Sequence, residues 1–282
     1  MSVRLYSGSQ RIAQLDPAHR GIAYGDGLFE TMRVHGGAVP WWERHWTRLR
    51  DGAARLRIGV PDAAFVSSEV AHMAQGGGDG VLKLICSRGA GGRGYAPDPQ
   101  VASDWQLAWH TLPPNPPQGG LVLRWCKTRL APQPLLAGMK HCNRLEQVLA
   151  RAEWSEPDAV DRDADEGLLR DSSGAVVCAT AANLFVLREE RWRTPVLDTC
   201  GVVGICRGVL LEQLGAEETS LAPEDVESAD AVFLCNAVRG ILPVARLAGR
   251  AWAPHPAIAQ AQRLLGAMHP AFETAASHPE IP

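Results

Sequence analysis

The chain has 282 residues, of which 46% are hydrophobic and 21% are charged, and its formal net charge at pH 7 is −3. This length allows two domains of ordinary size, and the composition is typical of a globular enzyme. Basic residues form no patch, and no apolar run reaches the ~20 residues of a membrane span, so we expect neither nucleic acid nor a membrane as partner.

The first part of the chain combines a glycine-rich turn, a helix and strands. Residues 21–34 (GIAYGDGLFETMRV) predict a turn that runs into a strand. Residues 42–58 predict a helix with Trp46, Leu49, Ala53 and Leu56 on one face. Residues 81–87 (VLKLICS) predict a second strand, which leads into a glycine-rich loop at residues 88–95 (RGAGGRGY).

The loop at residues 88–95 carries two arginines, Arg88 and Arg93. Glycines let a backbone approach a ligand closely, and arginine binds carboxylates through two parallel hydrogen bonds. The loop therefore suggests a clamp for a substrate carboxylate or a solvated surface loop, and its residues alone leave both open. It matches neither the dinucleotide-binding fingerprint nor the Walker loop, so we exclude nucleotide binding.

A stretch rich in proline and glycine, residues 112–120 (LPPNPPQGG), divides the chain. Because it cannot continue a helix or a central strand, we expect a small domain at 1–111, a linker at 112–120 and a larger domain at 121–282. The larger part predicts strands at 121–126, 184–187 and 230–234, a helix at 204–214 and an amphipathic helix at 145–154. The inward face of the amphipathic helix would consist of Leu145, Val148, Leu149 and Ala152. Strands and helices mix in both parts, which predicts an α+β fold.

Lys140 is one of three lysines in the chain, with Lys83 and Lys127, and it precedes the helix predicted at 145–154. A desolvated lysine loses its proton readily, which covalent chemistry with a carbonyl cofactor requires. A surface lysine at the start of a helix fits the same context. Residues 201–207 (GVVGICR) open the helix predicted at 204–214, and the amides at such a helix start form a common anion site.

The cysteines indicate neither disulfides nor a metal site. Their number is seven, no pair forms CxxC, and none has zinc-ligand spacing with a histidine. We therefore expect free thiols in a reducing compartment, a cytoplasmic protein and no metal. The polar N-terminal segment predicts no signal peptide. The sequence contains no GxSxG elbow and no evident Ser/His/Asp set, so hydrolase chemistry has no support.

Seven segments occur in the order found in class IV pyridoxal-phosphate (PLP) enzymes, and together they resemble that family from residue 21 to residue 244. They are GDGLFETMRV, HWTRLRDGAARLRI, SRGAGGRGY, AGMKHCNRLEQVLARAEW, AANLF, GVVGICRGVLLE and FLCNAVRGILPV. The resemblance implies a fold-type IV PLP enzyme, with a small N-terminal α+β domain and a larger C-terminal PLP-binding domain. It also implies a homodimer.

The segments SRGAGGRGY and KHCNRLEQVLAR resemble the aminodeoxychorismate lyases of this class more than its transaminases. This implies a PLP-dependent lyase that converts 4-amino-4-deoxychorismate to 4-aminobenzoate and pyruvate in folate biosynthesis. The alternatives are a class IV transaminase for D-alanine or branched-chain amino acids, and a catalytically impaired PLP-binding homologue.

Carried over residue by residue, the resemblance makes Lys140 the lysine that carries the cofactor. It implies a loop that holds substrate carboxylates with Arg93 and Tyr95. The cofactor-binding residues that it implies, most of them around the PLP phosphate, are Arg48, Asn183, Gly204, Ile205, Cys206, Cys235 and Asn236.

One position departs from the family pattern. Five residues before Asn183 the class has a glutamate that keeps the pyridine nitrogen of PLP protonated, and this chain has Cys178 there. A thiol is a weak hydrogen-bond partner. Cys178 therefore indicates a lyase that needs less electron withdrawal, a thiolate paired with the ring, or reduced activity, and we favour the first. Glu166, twelve residues earlier, is not expected to substitute.

Overall fold

The computed structural model describes residues 2–91, 94–156 and 161–273, and it divides into two compact units. Unit 1 consists of the described residues of Met1–Leu112 together with Met139–Asn143. Unit 2 consists of the described residues of Pro113–Gly138 and Arg144–Pro282. The short segment that contains Lys140 thus packs with unit 1, although it follows the proline-rich stretch in the chain.

Unit 1 is built on one antiparallel sheet with the strand order β2-β1-β5-β4-β3. β3 shows the alternation of a strand with one covered face, because Leu28, Met32 and Val34 are buried whereas Thr31 and Arg33 are partly exposed. The strands are β1 (Val3–Ser7), β2 (Gln10–Ile12), β3 (Gly27–Val34), β4 (Gly80–Arg88) and β5 (Ser103–His110).

The helices of unit 1 are α1 (Arg20–Tyr24), α2 (Trp42–Leu56) and α3 (Ala63–Gly77). The face predicted for α2 is confirmed by the burial of Trp46, Leu49 and Ala53. The helix ends two residues before the predicted boundary, because Arg57 adopts a left-handed conformation with φ of 55°.

Two glycines of unit 1 lie where the local geometry favours glycine. Gly25, with φ of 63°, ends the short helix α1, most of which falls in the stretch predicted as a turn. A Cβ at Gly52 would lie 3.0 Å from Cδ2 of Leu28, so this glycine lets α2 approach β3 closely. The close approach brings the polar residues of α2 to the covered face of β3.

Unit 2 is built on a nine-stranded mixed sheet in the order β11-β10-β9-β12-β13-β6-β7-β8, with β14 paired to β13. The pairs β10–β11, β13–β6 and β6–β7 are parallel. Phe185 of β9 and Phe233 of β12 stack at 4.9 Å in the core. The strands are β6 (Leu121–Leu130), β7 (Glu166–Asp171), β8 (Val176–Ala179), β9 (Asn183–Arg188), β10 (Arg191–Pro195), β11 (Glu217–Thr219), β12 (Ala231–Asn236), β13 (Gly240–Leu247) and β14 (Arg250–Ala251).

The helices of unit 2 are α4 (Leu145–Ala152), α5 (Ile205–Leu214), α6 (Pro223–Glu227) and α7 (Pro256–Met268). The helix predicted at 204–214 is confirmed by α5, with Gly204 as its N-cap. Over the described ranges, none of the helices has both the length and the apolar character needed to cross a membrane.

The predicted inward face of α4 is wrong. Leu145, Val148 and Leu149 are 76%, 59% and 61% exposed, and the buried residue of the helix is Ala150. The helix is fixed from its other side, where Glu146 accepts a hydrogen bond from the Ala131 amide at 2.8 Å. An apolar period shows that one face avoids water, but it does not show what covers that face.

Candidate functional site

Lys140 lies on an extended segment that pairs with the start of β3. The Phe29 amide donates to the Lys140 carbonyl at 2.9 Å, and the Cys142 amide donates to the Gly27 carbonyl at the same distance. The Lys140 Nζ lies 4.3 Å from the centre of the Phe29 ring. α4 begins at Leu145, as predicted, so Lys140 lies before the helix and backbone pairing with β3 fixes its segment. The alternative of a surface lysine at the start of a helix is wrong.

Next to this segment, unit 1 holds a buried carboxylate between two basic residues of α2. The Glu30 carboxylate accepts from Arg48 Nε at 2.8 Å and from Arg48 Nη2 at 2.5 Å. His45 Nδ1 lies 2.6 Å from the same carboxylate and donates to it, because a carboxylate can only accept. The side chains of Glu30 and His45 are 3% and 1% exposed.

The charges of this cluster are set by its contacts. Burial opposes ionisation of Glu30, but Arg48 and His45 outweigh it and lower the pKa of the Glu30 carboxyl to about 2. Burial also lowers the pKa of His45, against the raising effect of Glu30. At neutral pH the cluster therefore contains a carboxylate, a guanidinium and a neutral imidazole.

Sequence reasoning found Arg48 but missed Glu30 and His45. The available signal was a glutamate at a position of β3 whose neighbours two residues away, Leu28 and Met32, are apolar. A second signal was the spacing of His45 and Arg48, since residues three apart share one helix face. Neither signal is specific without the packing of α2 on β3.

Two residues of the loop at 88–95, Arg93 and Tyr95, are expected to hold substrate carboxylates. Arg93 lies outside the described residues. Tyr95 is 85% exposed, and its ring lies 5.4 Å from that of Tyr24. Arg20 is buried and anchors this end of the loop, because its Nη1 and Nη2 donate to the carbonyls of Gly94 at 3.0 Å and Tyr95 at 3.2 Å.

Arg88, the other arginine considered as a carboxylate clamp, is a structural residue. Its Nε donates to Asp26 at 2.9 Å, and its Nη1 and Nη2 each donate at 2.7 Å to the carbonyls of Arg57 and Leu56 at the end of α2. Asp26 also accepts from Arg20 Nε at 3.0 Å. The Asp26 carboxylate thus links Arg20, which anchors the loop, to Arg88, which binds the end of α2.

In unit 2 the predicted phosphate-binding residues meet at the start of α5. No side chain caps this helix, and its first amides have no intrahelical acceptor. A Cβ at Gly204 would lie 2.1 Å from Oδ1 of Asn183, so only glycine fits at the N-cap. Asn183 supports the preceding turn, since its Nδ2 donates to the Val202 carbonyl at 2.9 Å. Arg207 points elsewhere and donates to Pro195 and Glu218.

Cys206, in the first turn of α5, meets Cys235 at the end of β12. Both are fully buried, and a hydrogen bond to Cys235, together with burial, raises the pKa of the Cys206 thiol well above its usual range. Cys235 pairs directly with Asn183 across the sheet. Asn236 shapes the following turn, because its Oδ1 accepts from the amides of Val238 and Arg239 at 3.0 and 2.9 Å.

Cys178 lies in β8 and is 7% exposed. Burial raises the pKa of its thiol to about 12, so the thiol is protonated at neutral pH. This argues against the interpretation that pairs a thiolate with the cofactor ring. The Glu166 carboxylate is engaged by the Thr180 hydroxyl and by the Gly167 amide.

Unit 1 also brings together a serine, a histidine and an aspartate that the sequence had not suggested. Ser87 Oγ lies 3.3 Å and Asp104 Oδ2 lies 3.5 Å from His19, and both contact the same nitrogen, Nε2. A catalytic triad needs the two partners on different ring nitrogens, so this cluster lacks that geometry.

Over the described ranges, His, Cys, Asp and Glu form no group of three that could hold a metal ion.

The family model described as amino-transferase class IV matches residues 27–247 of this chain. The chain belongs to the class IV aminotransferase family. The aminodeoxychorismate lyase of Vibrio harveyi is 35% identical over 235 residues, which cover 80% of this chain and 84% of the relative. The D-alanine aminotransferase of Bacillus licheniformis is 26% identical over 261 residues, which cover 84% of each chain.

Among solved structures, the 4-amino-4-deoxychorismate lyase from Pseudomonas aeruginosa is similar with a TM-score of 0.85. It is 40% identical, and the match covers 93% of this chain and 98% of that chain. The expected fold-type IV architecture is thereby confirmed. The cofactor expectation is also confirmed at the level of the family, because class IV aminotransferases are PLP enzymes.

Proposed function

We propose that this chain is a PLP-dependent lyase that converts 4-amino-4-deoxychorismate to 4-aminobenzoate and pyruvate, a step of folate biosynthesis. The observation that carries the proposal is the 40% identity to the Pseudomonas aeruginosa lyase over 93% of this chain. The similarity to a D-alanine aminotransferase is weaker, at 26% identity.

Lys140 is the residue to which we assign the covalent link with PLP. Its segment is held by backbone hydrogen bonds to β3, which fixes the point from which the side chain extends. When bound, PLP withdraws electrons from the amine-bearing carbon of its substrate. With PLP supplying this electron withdrawal, the Lys140 amine would act as the base that takes the proton from that carbon. The bond from the neighbouring carbon to oxygen would then break, the proton held by Lys140 would pass to the departing enolpyruvate to give pyruvate, and the ring would become aromatic.

The residues of unit 2 fit the phosphate of PLP. The start of α5 offers amides without a side-chain cap, and Gly204 leaves no Cβ in the way. We assign the amides of Gly204, Ile205 and Cys206 to the phosphate, together with the loop at Cys235 and Asn236. The Asn183 side chain holds this turn through its hydrogen bond to the Val202 carbonyl. The family resemblance also assigns Arg48 to the PLP phosphate, since a guanidinium binds phosphate through two hydrogen bonds.

Cys178 favours a lyase over a transaminase. A protonated, buried thiol cannot keep the pyridine nitrogen positively charged, so the cofactor withdraws electrons less strongly. Elimination removes the developing negative charge with the leaving group, and formation of an aromatic ring supplies driving force. A transaminase must hold that charge until a proton arrives elsewhere, so it depends more on the missing glutamate.

The substrate carries two carboxylates, which the loop at Arg93 and Tyr95 would hold.

We further propose a homodimer in the cytoplasm. The exposed apolar face of α4, formed by Leu145, Val148 and Leu149, supports a second copy as partner, because such a patch is unfavourable in water. The seven cysteines are free, which fits a reducing compartment.

Incubation of the purified protein with aminodeoxychorismate tests the proposal. We expect 4-aminobenzoate and pyruvate in equal amounts without an added amino donor. Formation of a keto acid that depends on D-alanine or a branched-chain amino acid would instead select the transaminase. A bound cofactor with neither product would select an impaired homologue.

A further inference from the structure

Glu30 is a charged residue on a strand face that is otherwise apolar. It shares the covered face of β3 with the buried residues Leu28, Met32 and Val34. Burial of a carboxylate is unfavourable unless other groups pair with it, and an apolar side chain would satisfy the alternation of β3 equally well. The alternation of β3 therefore does not require a carboxylate at this position, and the reason for one lies in the α2 groups that pair with it.

The contacts of Glu30 fix the plane of the Arg48 guanidinium. Two different carboxylate oxygens accept from Nε at 2.8 Å and from Nη2 at 2.5 Å, and two parallel hydrogen bonds allow only one relative orientation. His45 holds the carboxylate itself, with Nδ1 at 2.6 Å from Oε2. His45 and Arg48 come from one face of α2, so the whole arrangement rests on helix and strand rather than on a loop.

We propose that Glu30 is a positioning residue, which orients Arg48 toward the phosphate group of the cofactor. The proposal rests on the proposed function, in which Arg48 is assigned to that phosphate. The negative charge of Glu30 by itself weakens the attraction between Arg48 and an anion. A site that used charge alone would bind phosphate better without Glu30, so orientation is the benefit that offsets this loss.

Two forms of the cofactor separate orientation from general damage. The full-length chain is titrated with PLP and with pyridoxal, which lacks the phosphate, and binding is followed by absorbance. For Glu30→Gln we expect about ten-fold weaker binding of PLP or more, as for the loss of groups that orient metal ligands. Pyridoxal affinity should stay the same. Glu69→Gln is the matched control, because its carboxylate pairs with Arg4 at 2.7 Å in the same unit, and both affinities should be unchanged.

A double-mutant cycle shows whether Glu30 acts through Arg48. Arg48→Lys should weaken PLP binding, and adding Glu30→Gln should weaken it no further. Independent, additive losses would overturn the inference, and so would equal losses for PLP and pyridoxal or tighter PLP binding in Glu30→Gln. If Glu30→Gln does not fold, Glu30→Asp serves the same test, because it keeps the charge but is too short to hold both nitrogens.

The role of Glu30 and the assignment of Arg48 to the phosphate can be disproved separately. Weakened PLP binding in Arg48→Lys beside wild-type binding in Glu30→Gln would overturn the inference about Glu30 alone. Wild-type PLP binding in Arg48→Lys would overturn the assignment of Arg48 to the phosphate, and the role of Glu30 with it.

Discussion

Cys178 is the residue at which the family resemblance predicts a glutamate, and its environment gives this difference a chemical consequence. The thiol lies in an apolar cluster with Cys126, Leu130, Leu169 and Cys200, and burial raises its pKa to about 12. A thiol in such a setting neither carries a charge nor compensates one. If Cys178 faces the pyridine nitrogen as we propose, the cofactor is a weaker electron acceptor in this chain.

Cys178→Glu should restore a carboxylate at this position. We expect the transaminase activity with D-alanine to rise, with a smaller change in lyase turnover, because transamination must hold the negative charge until a proton arrives and so depends more on the ring proton. Cys178→Gln is the control for side-chain size without charge. Steady-state rates of keto-acid and 4-aminobenzoate formation provide the measurement, and equal activities in all three proteins would contradict the role given to Cys178.

The ionised Glu30 also affects stability, in a direction that its pKa fixes. The folded pKa of about 2 lies below the ordinary value of 4.5, so this group stabilises the folded state above pH 4.5. The contribution is lost as the pH falls toward 2. Glu30→Gln should lower the free energy of unfolding at pH 7 by roughly 3 kcal/mol, with a smaller difference at pH 3. Urea unfolding at both pH values would show this, and a difference that grows at low pH would contradict it.

Individual residues differed in how far the sequence revealed them. Lys140 and Arg48 stand in motifs of the family, and Cys178 follows from a count along the chain. Glu30 could not be found in this way, because its partners His45 and Arg48 lie on another element and meet it only when α2 packs on β3. Burial decides the ionisation of Cys178, and burial is a property of the fold.

At the scale of elements, the loop that we propose for the substrate carboxylates depends on α1. Arg20 of this short helix donates to the carbonyls of Gly94 and Tyr95 and to Asp26, so it holds one end of the loop. Arg20 also lies 4.9 Å from the ring of Tyr24, whose neighbour in space is Tyr95. The sequence predicted the loop but not the residue that anchors it.

Arg20→Lys should loosen the loop without touching the reacting groups. Lysine cannot make the three directed hydrogen bonds of a guanidinium. We expect the KM for aminodeoxychorismate to rise about ten-fold with kcat nearly unchanged, because ground-state binding is lost. Arg88→Lys is the control, since it removes the other arginine of Asp26 and should lower stability without raising KM. An unchanged KM in Arg20→Lys would show that the loop is held by other means.

Periodicity located α2, α4 and α5 but not the long helices α3 and α7, and it predicted the surroundings of the helices less well. It placed α2 and its buried face correctly, because that face packs within the same unit. It predicted that the apolar face of α4 is buried in a core, whereas the structure exposes this face. It also could not show that the segment of Lys140 pairs with β3, since backbone pairing with residues far away in the chain leaves no local pattern.

At the scale of the whole molecule, the exposed face of α4 predicts assembly. Leu149→Glu should shift the protein from dimer toward monomer, because a charge would be buried in an apolar interface. Leu264→Glu is the control, since Leu264 is a partly exposed apolar residue of α7 at 38%. Sedimentation velocity over a range of concentrations measures the shift, and a Leu149→Glu protein as dimeric as the parent would place the interface elsewhere.

The order of segments along the chain indicated the family, whereas the division into units depended on contacts that the order does not contain. The proline-rich stretch at 112–120 lies where the chain passes from unit 1 to unit 2, yet Met139–Asn143 returns to unit 1. Composition cannot reveal such a return. The return of the chain to unit 1 places the proposed cofactor lysine on the unit that also holds Arg48.

Removal of Lys140 tests the proposed chemistry most directly. Lys140→Ala is compared with Lys127→Ala, which removes a lysine that is 62% exposed and pairs with Glu156. We expect Lys140→Ala to lose the absorbance band of the protein-bound cofactor and to form no 4-aminobenzoate, while Lys127→Ala keeps both. A Lys140→Ala protein that retains the band and still releases 4-aminobenzoate and pyruvate would contradict the assignment of Lys140 and the mechanism built on it.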